Sequence, residues 1–363
     1  MSIIQANKLY KSFNTNSESS HTVLSDINFT VEKGECFTVI GPNGSGKSTL
    51  LSIMGLLIPP TKGQVIYKGK DITELSKSEK VKMRRNFSFV RQKPVVLDTS
   101  VYNNIAYGLK VRDFERREIE ERVSAIIKKV GLKGFENQNA RSLSGGEMQR
   151  VAIAMNFVLD PEIYFLDEMS ANLDPKNVAL LEEFINEIKG KKNKTIIMST
   201  HDRMEAIKFS DRIAVLSDGK ISQIGNVNDI FTSPKDEYAA VFVGYENIFS
   251  GIARYNKKLE LTEIKIDNLA LNAADRANGK VKALIKPESI GLSRKKARDT
   301  SYQNSIPAEI IEVRELGNTY HIFAKSGSSE FLTSITKLSF KDLQIELGSK
   351  IFLNFKATDI KIL

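Results

Sequence analysis

The sequence predicts an α/β domain built on a mostly parallel β-sheet, followed by a small all-β domain. Up to about residue 225, short runs of apolar and β-branched residues alternate with helical segments. Most of these runs are continuously apolar, as expected for buried strands that helices cover on both faces. Beyond about residue 245, strand-like segments follow one another with little helix, which is typical of a small OB-like barrel.

The same patterns locate the individual elements and the domain boundary. In the first domain we expect strands at residues 36–40, 87–90, 163–166, 195–198 and 212–216, and short helices within 226–243. In the second domain we expect strands at residues 251–255, 258–266, 281–285, 308–315, 321–325 and 350–357. The predicted domains therefore span residues 1–243 and 244–363.

Composition excludes several kinds of site. The 363-residue chain has one cysteine, Cys36, and three widely separated histidines, so neither a disulfide framework nor a thiolate zinc site is possible. No apolar stretch reaches the roughly 18 residues of a transmembrane helix, and the N-terminus lacks the pattern of a signal peptide. We therefore expect a soluble, cytoplasmic protein that acts at a membrane only through a partner.

The net charge of +9 raises the question of a nucleic-acid partner. The charge is spread over the chain, with +5 in residues 246–363 and +4 in the first 245 residues. Neither part has the dense basic stripe of a nucleic-acid-binding protein. We expect no nucleic-acid partner, and we interpret the basic cluster at residues 294–298 as a solvated loop.

The strongest chemical signal is a Gly-x4-Gly-Lys-Ser motif between a predicted strand and a helical run. Its glycines let backbone N–H groups turn toward phosphate oxygens, and the helix N-terminus adds partial positive charge. Lys47 is suited to the β- and γ-phosphates and Ser48 to Mg²⁺, which indicates a P-loop NTPase fold. A chance Gly-rich turn is the alternative. The predicted nucleotide-binding residues are Gly41, Asn43, Gly44, Ser45, Gly46, Lys47, Ser48 and Thr49.

A second signal is a pair of carboxylates, Asp167 and Glu168, at the end of a predicted buried strand. At the carboxyl end of a strand, both side chains can face a nucleotide crevice. Asp167 suits the Mg²⁺ site, and Glu168 suits the orientation and activation of an attacking water. The alternative is an acidic exit from strand to loop.

A third signal is Leu143-Ser144-Gly145-Gly146-Glu147-Met148-Gln149-Arg150, at the start of a predicted helix. Ser-Gly-Gly at a helix start is another anion-binding terminus. One nucleotide does not need two such termini from one chain, so the second can serve a nucleotide held by another subunit. The alternative is an N-cap serine followed by permissive glycines.

In their order, these motifs resemble the ATP-binding subunit of ABC transporters over roughly residues 1–240. Further matches are Gln92 at the Q-loop glutamine, residues 170–174 at the D-loop, His201 at the switch histidine and Phe13 at the adenine-stacking aromatic. Tyr10 is a competing candidate for that stack. The chain departs from the family pattern at Met169-Ser170, where Pro-Thr is usual, and we expect a local change of turn there.

The resemblance implies hydrolysis of ATP, with Mg²⁺, by two copies of the chain related by a two-fold axis. The catalytic residues that it implies are Lys47, Gln92, Glu168 and His201. The implied Mg²⁺ ligands are Ser48, Gln92 and Asp167, and the other chain contributes Ser144, Gly145 and Gly146 to the same nucleotide. Closure of this homodimer on ATP would drive a membrane partner between conformations.

The same resemblance implies the partners and the location. Transmembrane permease subunits would dock near Gln92, partly on residues 93–99, and an extracytoplasmic solute-binding protein would act indirectly. The chain would be peripheral, on the cytoplasmic side of the cell membrane.

In the second domain, Ser301-Tyr302-Gln303-Asn304 opens a strand-rich stretch that includes residues 333–339 and closes with residues 355–360. Over about residues 300–363, this layout is similar to the TOBE/Mop-like, oxyanion-binding domain of molybdate- and tungstate-type import ATPases. The resemblance places a regulatory oxyanion at Ser301, Lys356 and Thr358, where several donors and a cation suit a tetrahedral dianion. Gln303 replaces the usual arginine of the motif, which weakens or removes this site. The alternative is a dimerisation domain without a ligand.

Other functions remain open from sequence. Import ATPases for sulfate, ferric iron, polyamines or sugars share the two-domain plan. A soluble ABC ATPase that acts on nucleic acid or ribosomes usually has two nucleotide domains or a coiled-coil insertion, and neither is visible here. A non-catalytic oxyanion sensor does not need the intact Lys47, Asp167 and Glu168.

Overall fold

The computed structural model describes residues 1–14, 20–91, 95–170, 173–298 and 300–363. The chain forms two compact units, Met1–Ile230 and Phe231–Leu363. The short helices predicted within residues 226–243 are present at Val227–Thr232 and Glu237–Phe242, and the second of them belongs to the second unit. The predicted boundary after residue 243 stays a prediction for the division between functional domains.

Among the residues that the structure describes, ten strands make two sheets in the first unit. They are β1 (Ser2–Asn14), β2 (Ser20–Glu32), β3 (Cys36–Ile40), β4 (Lys62–Tyr67), β5 (Lys70–Asp71), β6 (Phe87–Val90), β7 (Ile163–Asp167), β8 (Thr195–Thr200), β9 (Arg212–Ser217) and β10 (Lys220–Asn226). One sheet has the order β10-β9-β3-β8-β7-β6 and the other the order β2-β1-β4-β5.

The six-stranded sheet confirms the predicted parallel core. Its strands β9, β3, β8, β7 and β6 run parallel, and only β10 pairs antiparallel, with β9. Every residue of β3, β7 and β8 is buried, because helices cover both faces of this sheet. All five strands predicted for the first domain lie in it.

In the described part of the chain, eight helices accompany these strands. They are α1 (Lys47–Met54), α2 (Lys77–Arg84), α3 (Val101–Lys110), α4 (Arg116–Lys129), α5 (Gly145–Phe157), α6 (Pro175–Gly190), α7 (Arg203–Phe209) and α8 (Val227–Thr232). Side-chain caps fix several helix starts. Ser144 begins α5, Asp174 begins α6 and Asp202 begins α7, and each accepts a hydrogen bond from an N–H of the first turn.

Cys36 belongs to the core that packs against α3, α4, α5 and α6. The thiol is buried, and burial raises its pKa to about 12. It is therefore protonated at neutral pH and packs as a small apolar group.

The second unit confirms the predicted all-β domain. Its strands are β11 (Asn247–Asn256), β12 (Leu261–Ile266), β13 (Leu269–Ala273), β14 (Gly279–Ile285), β15 (Gly291–Ser293), β16 (Asn304–Leu316), β17 (Thr319–Ser326), β18 (Ser329–Thr336), β19 (Lys350–Phe355) and β20 (Ile360–Ile362). The two sheets have the orders β13-β12-β11-β14-β20 and β15-β19-β16-β17-β18, all antiparallel. They enclose one apolar cluster, and their curled arrangement fits the predicted OB-like barrel.

Two short helices, α9 (Glu237–Phe242) and α10 (Lys337–Asp342), accompany these sheets. Within the residues that the structure describes, no helix is long and apolar enough to cross a membrane.

Candidate active site

The Gly-rich segment turns sharply between β3 and α1, as the motif predicts. Gly44 and Gly46 adopt φ values of 83° and 104°, a left-handed region that favours glycine. A Cβ at Gly41 would lie 2.2 Å from the carbonyl oxygen of Leu216, so only glycine allows this approach of the loop to β9. The conformation of the loop therefore depends on glycine at these three positions.

A polar cavity of about 400 Å³ opens over this loop. Its lining residues are Val23, Asn43, Gly44, Gly46, Lys47, Ser48, Thr49 and Glu168. Ser45 belongs to the loop but not to the cavity lining, and its buried hydroxyl oxygen has no hydrogen-bond partner among the described residues. A buried polar atom of this kind needs a partner, and Gly44 leaves open space where a Cβ would stand. Both features fit a phosphate group in the loop.

Lys47 is the buried cation of the site, with a side chain only 4% exposed. Its ammonium donates to the carbonyl oxygens of Gly41 at 2.9 Å and Pro42 at 3.2 Å. It also forms an ion pair with Glu168, at 3.1 Å between Nζ and Oε1. The sequence motif predicts a phosphate contact for Lys47 but not this pairing with Glu168.

Asp167 and Ser48 are close together because β7 ends, and α1 begins, at the same edge of the sheet. The Ser48 hydroxyl donates to Asp167 Oδ1 at 2.9 Å, and the Ser199 hydroxyl donates to the same oxygen at 2.7 Å. Asp167 and Ser199 are register partners on the parallel strands β7 and β8. A hydroxyl and a carboxylate are hard oxygen donors of the kind that Mg²⁺ prefers, so Ser48 and Asp167 fit this metal.

Glu168 follows β7 with φ of 46°, in the left-handed region. Its N–H lies 3.1 Å from the carbonyl oxygen and 3.2 Å from the hydroxyl of Ser199. Its second carboxylate oxygen lies 3.6 Å from Nδ1 of His201, whose side chain is 56% exposed. The structure thus brings together Lys47, Ser48, Asp167, Glu168 and His201, all of which the sequence singles out.

The Ser144–Gly146 segment lies elsewhere in the first unit. Ser144 caps α5 and accepts from the N–H of Glu147, whose carboxylate accepts from the N–H of Ser144 in return. Ser144 and Gly145 are exposed, and neither lines the cavity over the phosphate loop of its own chain. Both the N-cap reading and an exposed anion-binding terminus fit this geometry.

The cavity lining omits three of the predicted nucleotide contacts, Phe13, Gly41 and Ser45. Phe13 is 43% exposed, lies under the ammonium of Lys11 and is not among the lining residues. Gln92 lies outside the described residues. Val23 does line the cavity, and sequence reasoning missed it because a lone valine in a strand carries no chemical signal.

In the second unit, Ser301, Lys356 and Thr358 are all exposed. The side-chain oxygen of Gln303 accepts from the N–H of Ala357 at 2.9 Å, which joins the two segments that carry these residues. The N–H of Ala357, which lies next to the predicted oxyanion position, therefore already has Gln303 as its acceptor. The oxyanion site stays a prediction.

Comparison with known proteins assigns both domains. The ABC transporter family matches residues 24–171, and the TOBE domain matches residues 300–362. A molybdate/tungstate import ATP-binding protein, WtpC of Pyrococcus abyssi, is 37% identical over 343 residues, which are 93% of this chain and 95% of that protein. WtpC of Pyrococcus horikoshii is 34% identical over 340 residues, with coverage of 93% and 95%. A spermidine/putrescine import ATP-binding protein, PotA of Clostridium novyi, is 31% identical over 362 residues, with coverage of 99% and 97%.

Two solved structures are similar to the first domain in fold. A dimeric ATP-binding cassette in a post-hydrolysis state, bound to ADP and Pi, is 28% identical with a TM-score of 0.58, and it covers 62% of this chain and 99% of the cassette. A dimeric bacterial ABC transporter cassette gives the same identity, TM-score and coverage. These likenesses confirm the predicted P-loop NTPase fold, and the chain belongs to the family of ABC transporter ATP-binding proteins.

Proposed function

We propose that this chain is the ATP-hydrolysing subunit of an ABC importer, and that the importer carries a molybdate- or tungstate-type oxyanion. One observation carries the hydrolytic part. Glu168 lies between Lys47 and His201, directly after an Asp167 that binds Ser48. The identity of 34–37% to molybdate/tungstate import ATP-binding proteins, over 93% of the chain, supports the substrate class.

The residues of the cavity divide the chemistry among them. The loop N–H groups and Lys47 bind the phosphates. The ammonium of Lys47 thereby exchanges its ion pair with Glu168 for a contact with a phosphate. Ser48 and Asp167 would hold Mg²⁺, which would neutralise charge on the phosphates. Glu168, once released from Lys47, accepts a proton from the attacking water. His201 lies close enough to orient Glu168 and donates toward the γ-phosphate.

We place Ser144, Gly145 and Gly146 at the nucleotide of a partner subunit. None of them lines the cavity of its own chain, and the similar solved cassettes are dimers. A capped helix start with exposed glycines offers N–H donors and partial positive charge to a phosphate. Each nucleotide then joins two chains, so that ATP favours the closed homodimer and hydrolysis weakens it.

The permease partner docks beside Gln92. Val95 is 64% exposed and Leu97 is 38% exposed, and both follow Gln92 closely in the chain. Exposed apolar side chains of this kind are typical of interaction surfaces. This docking places the chain peripherally at the cytoplasmic face of the membrane, with the solute-binding protein acting on the far side.

The second domain binds the regulatory oxyanion at Ser301, Lys356 and Thr358 in this proposal. One observation favours a second candidate, a domain without a ligand. Gln303 stands where the family usually has arginine, and its amide oxygen already accepts from Ala357.

A polyamine importer is the second candidate for the transported substrate, since the similarity to PotA spans 99% of this chain.

Replacing Glu168 with glutamine tests the hydrolytic role. Glu168→Gln keeps the shape of the site but removes the proton acceptor, so we expect ATP binding to persist while hydrolysis falls about 10²–10⁴-fold. Glu162→Gln is the matched control, because Glu162 stands just before the same strand and pairs with Lys68 instead. Hydrolysis at the wild-type rate in Glu168→Gln contradicts the proposed role.

Calorimetric titration of the full chain tests the oxyanion site. We expect molybdate and tungstate to release heat with the wild type and with Lys350→Ala, an exposed lysine elsewhere in the unit. Lys356→Ala should lose that heat, since it removes the cation that balances the dianion. No heat from either anion with the wild type would establish the ligand-free alternative.

A further inference from the structure

Asn177 is a fully buried asparagine near the start of α6, with 0% of its surface exposed. Buried asparagine is uncommon unless its amide is hydrogen-bonded. The side chain does not line the nucleotide cavity. No motif in the sequence points to this residue, so its burial calls for a structural account.

The amide of Asn177 joins two segments that are far apart in sequence. Its Nδ2 lies 2.9 Å from Asp174 Oδ2, 3.2 Å from the carbonyl oxygen of Gly146 and 3.3 Å from Gln149 Oε1. Its Oδ1 accepts from Nη1 of Arg150 at 3.5 Å. The Asn177 N–H donates to the other oxygen of Asp174 at 2.9 Å. One side chain thus connects the end of the D-loop to the Ser144–Gly146 segment.

The packing at Gly146 shows how close this junction is. A Cβ at Gly146 would lie 3.2 Å from Asp174 Oδ2 and 3.3 Å from Asn177 Nδ2. A residue with a Cβ at position 146 would therefore require one of these side chains to shift by a few tenths of an ångström. An apolar residue at position 177 would remove this donor from the exposed Asp174 carboxylate and from the Gly146 carbonyl, so the side-chain link between the start of α6 and the start of α5 would be lost.

We propose that Asn177 is a positioning residue that holds Ser144–Gly146 in the geometry that binds the nucleotide of the partner subunit. The inference rests on the proposed function, because it needs a composite site. Preorganised donors lower the cost of binding, since the protein does not reorder when the phosphate arrives. Loss of the amide should therefore weaken dimerisation on ATP and leave the binding of ATP to a single chain intact.

The test uses the full chain in a Glu168→Gln background, where ATP persists. Sedimentation measures ATP-dependent dimerisation, and titration with a fluorescent ATP analogue at low protein concentration measures binding to one chain. The variants are Asn177→Ala and Asn177→Ser, the latter keeping one hydroxyl donor. Asn186→Ala is the matched control, an exposed asparagine on the same helix.

We expect Asn177→Ala to raise the dissociation constant of the ATP-bound dimer by about tenfold or more, with ATP affinity per chain unchanged. Asn177→Ser should be intermediate, and Asn186→Ala should match the parent. A dimer as tight as the parent in Asn177→Ala overturns the inference, as does an equal loss of ATP affinity per chain. If Asn177→Ala does not fold, parent-like dimerisation by Asn177→Ser overturns it. A parent that stays monomeric with ATP contradicts the proposed function itself, and the inference with it.

Discussion

Glu168 combines a strained backbone with an ion pair to Lys47 and a nearby His201. Its φ of 46° lies in a region that costs a non-glycine residue about 1–3 kcal/mol. The N–H contacts to Ser199 hold this conformation, and the turn directs the carboxylate toward Lys47, 3.1 Å away. The position of the carboxylate is therefore set by the protein before any nucleotide arrives.

Gly46 gives a second test at the residue scale. An alanine there would combine a left-handed backbone, which costs about 1–2 kcal/mol, with a Cβ 2.7 Å from Cδ2 of Leu24. Overpacking of this kind costs about 1–3 kcal/mol more. We expect Gly46→Ala to lower the free energy of unfolding in denaturant titrations and to weaken ATP binding about tenfold or more, because the phosphate loop must shift.

Gly69→Ala separates backbone strain from the clash. Gly69 also has a positive φ, of 79°, but nothing lies within 4 Å of the position of its Cβ. This variant should lose only the backbone contribution and bind ATP normally. Equal ATP affinity in the two variants would show that the shape of the loop at Gly46 does not matter for binding.

The chemistry of the site was predictable at the residue scale, while its contacts were not. Lys47, Ser48 and Asp167 carry residue types and spacings that predict phosphate and Mg²⁺ binding. The pairing of Lys47 with Glu168 depends on the order of strands in the sheet, which local patterns do not encode. Val23 also lines the cavity, from β2 in the other sheet, and a lone valine carries no chemical signal in the sequence.

At the scale of elements, burial decides which strands a sequence pattern predicts. Strands β3 and β7 are continuously apolar because both faces of the parallel sheet are covered, and this continuous run is the pattern that predicts them. β1 was missed, since register shifts interrupt its alternation and Lys8 sits in it with φ of 46°. β18 was missed because it turns the small polar residues Ser329 and Thr333 toward the core.

The parallel pairing of β7 and β8 places Ser199 beside Asp167, and from this we predict how Ser199 affects the Mg²⁺ dependence of hydrolysis. Ser199 is 1% exposed, and its hydroxyl is one of two that donate to Asp167. Removing a hydrogen bond to a charged group costs about 1.5–3 kcal/mol. We expect Ser199→Ala to lose about that much stability and to require more Mg²⁺ for half-maximal hydrolysis, because the carboxylate is no longer held.

Ser88→Ala is the matched control on β6. Ser88 is 3% exposed, and its hydroxyl donates to Asn156 at 2.9 Å, away from the cavity. This variant should lose about 0.5–1.5 kcal/mol of stability and keep the Mg²⁺ dependence of the wild type. An unchanged Mg²⁺ dependence in Ser199→Ala would mean that β8 does not position the metal ligand.

At the scale of the whole molecule, each chain carries the cavity over the phosphate loop and a second candidate phosphate-binding segment that does not line this cavity. Lys47, Ser48, Asp167 and Glu168 surround the cavity, while Ser144 caps an exposed helix start outside its lining. A two-fold axis can bring the second segment of one chain to the cavity of another. The central claim is therefore that hydrolysis belongs to a pair of chains.

The most direct test is ATP hydrolysis by Ser144→Arg, measured at ATP concentrations that saturate binding. Ser142→Arg is the control, since Ser142 is also exposed and its hydroxyl donates to the carbonyl oxygen of Asn139. We expect Ser144→Arg to bind ATP normally and to lose hydrolysis, because its arginine blocks the nucleotide of the partner, while Ser142→Arg hydrolyses ATP like the wild type. Hydrolysis at the wild-type rate by Ser144→Arg would contradict a site shared between two chains.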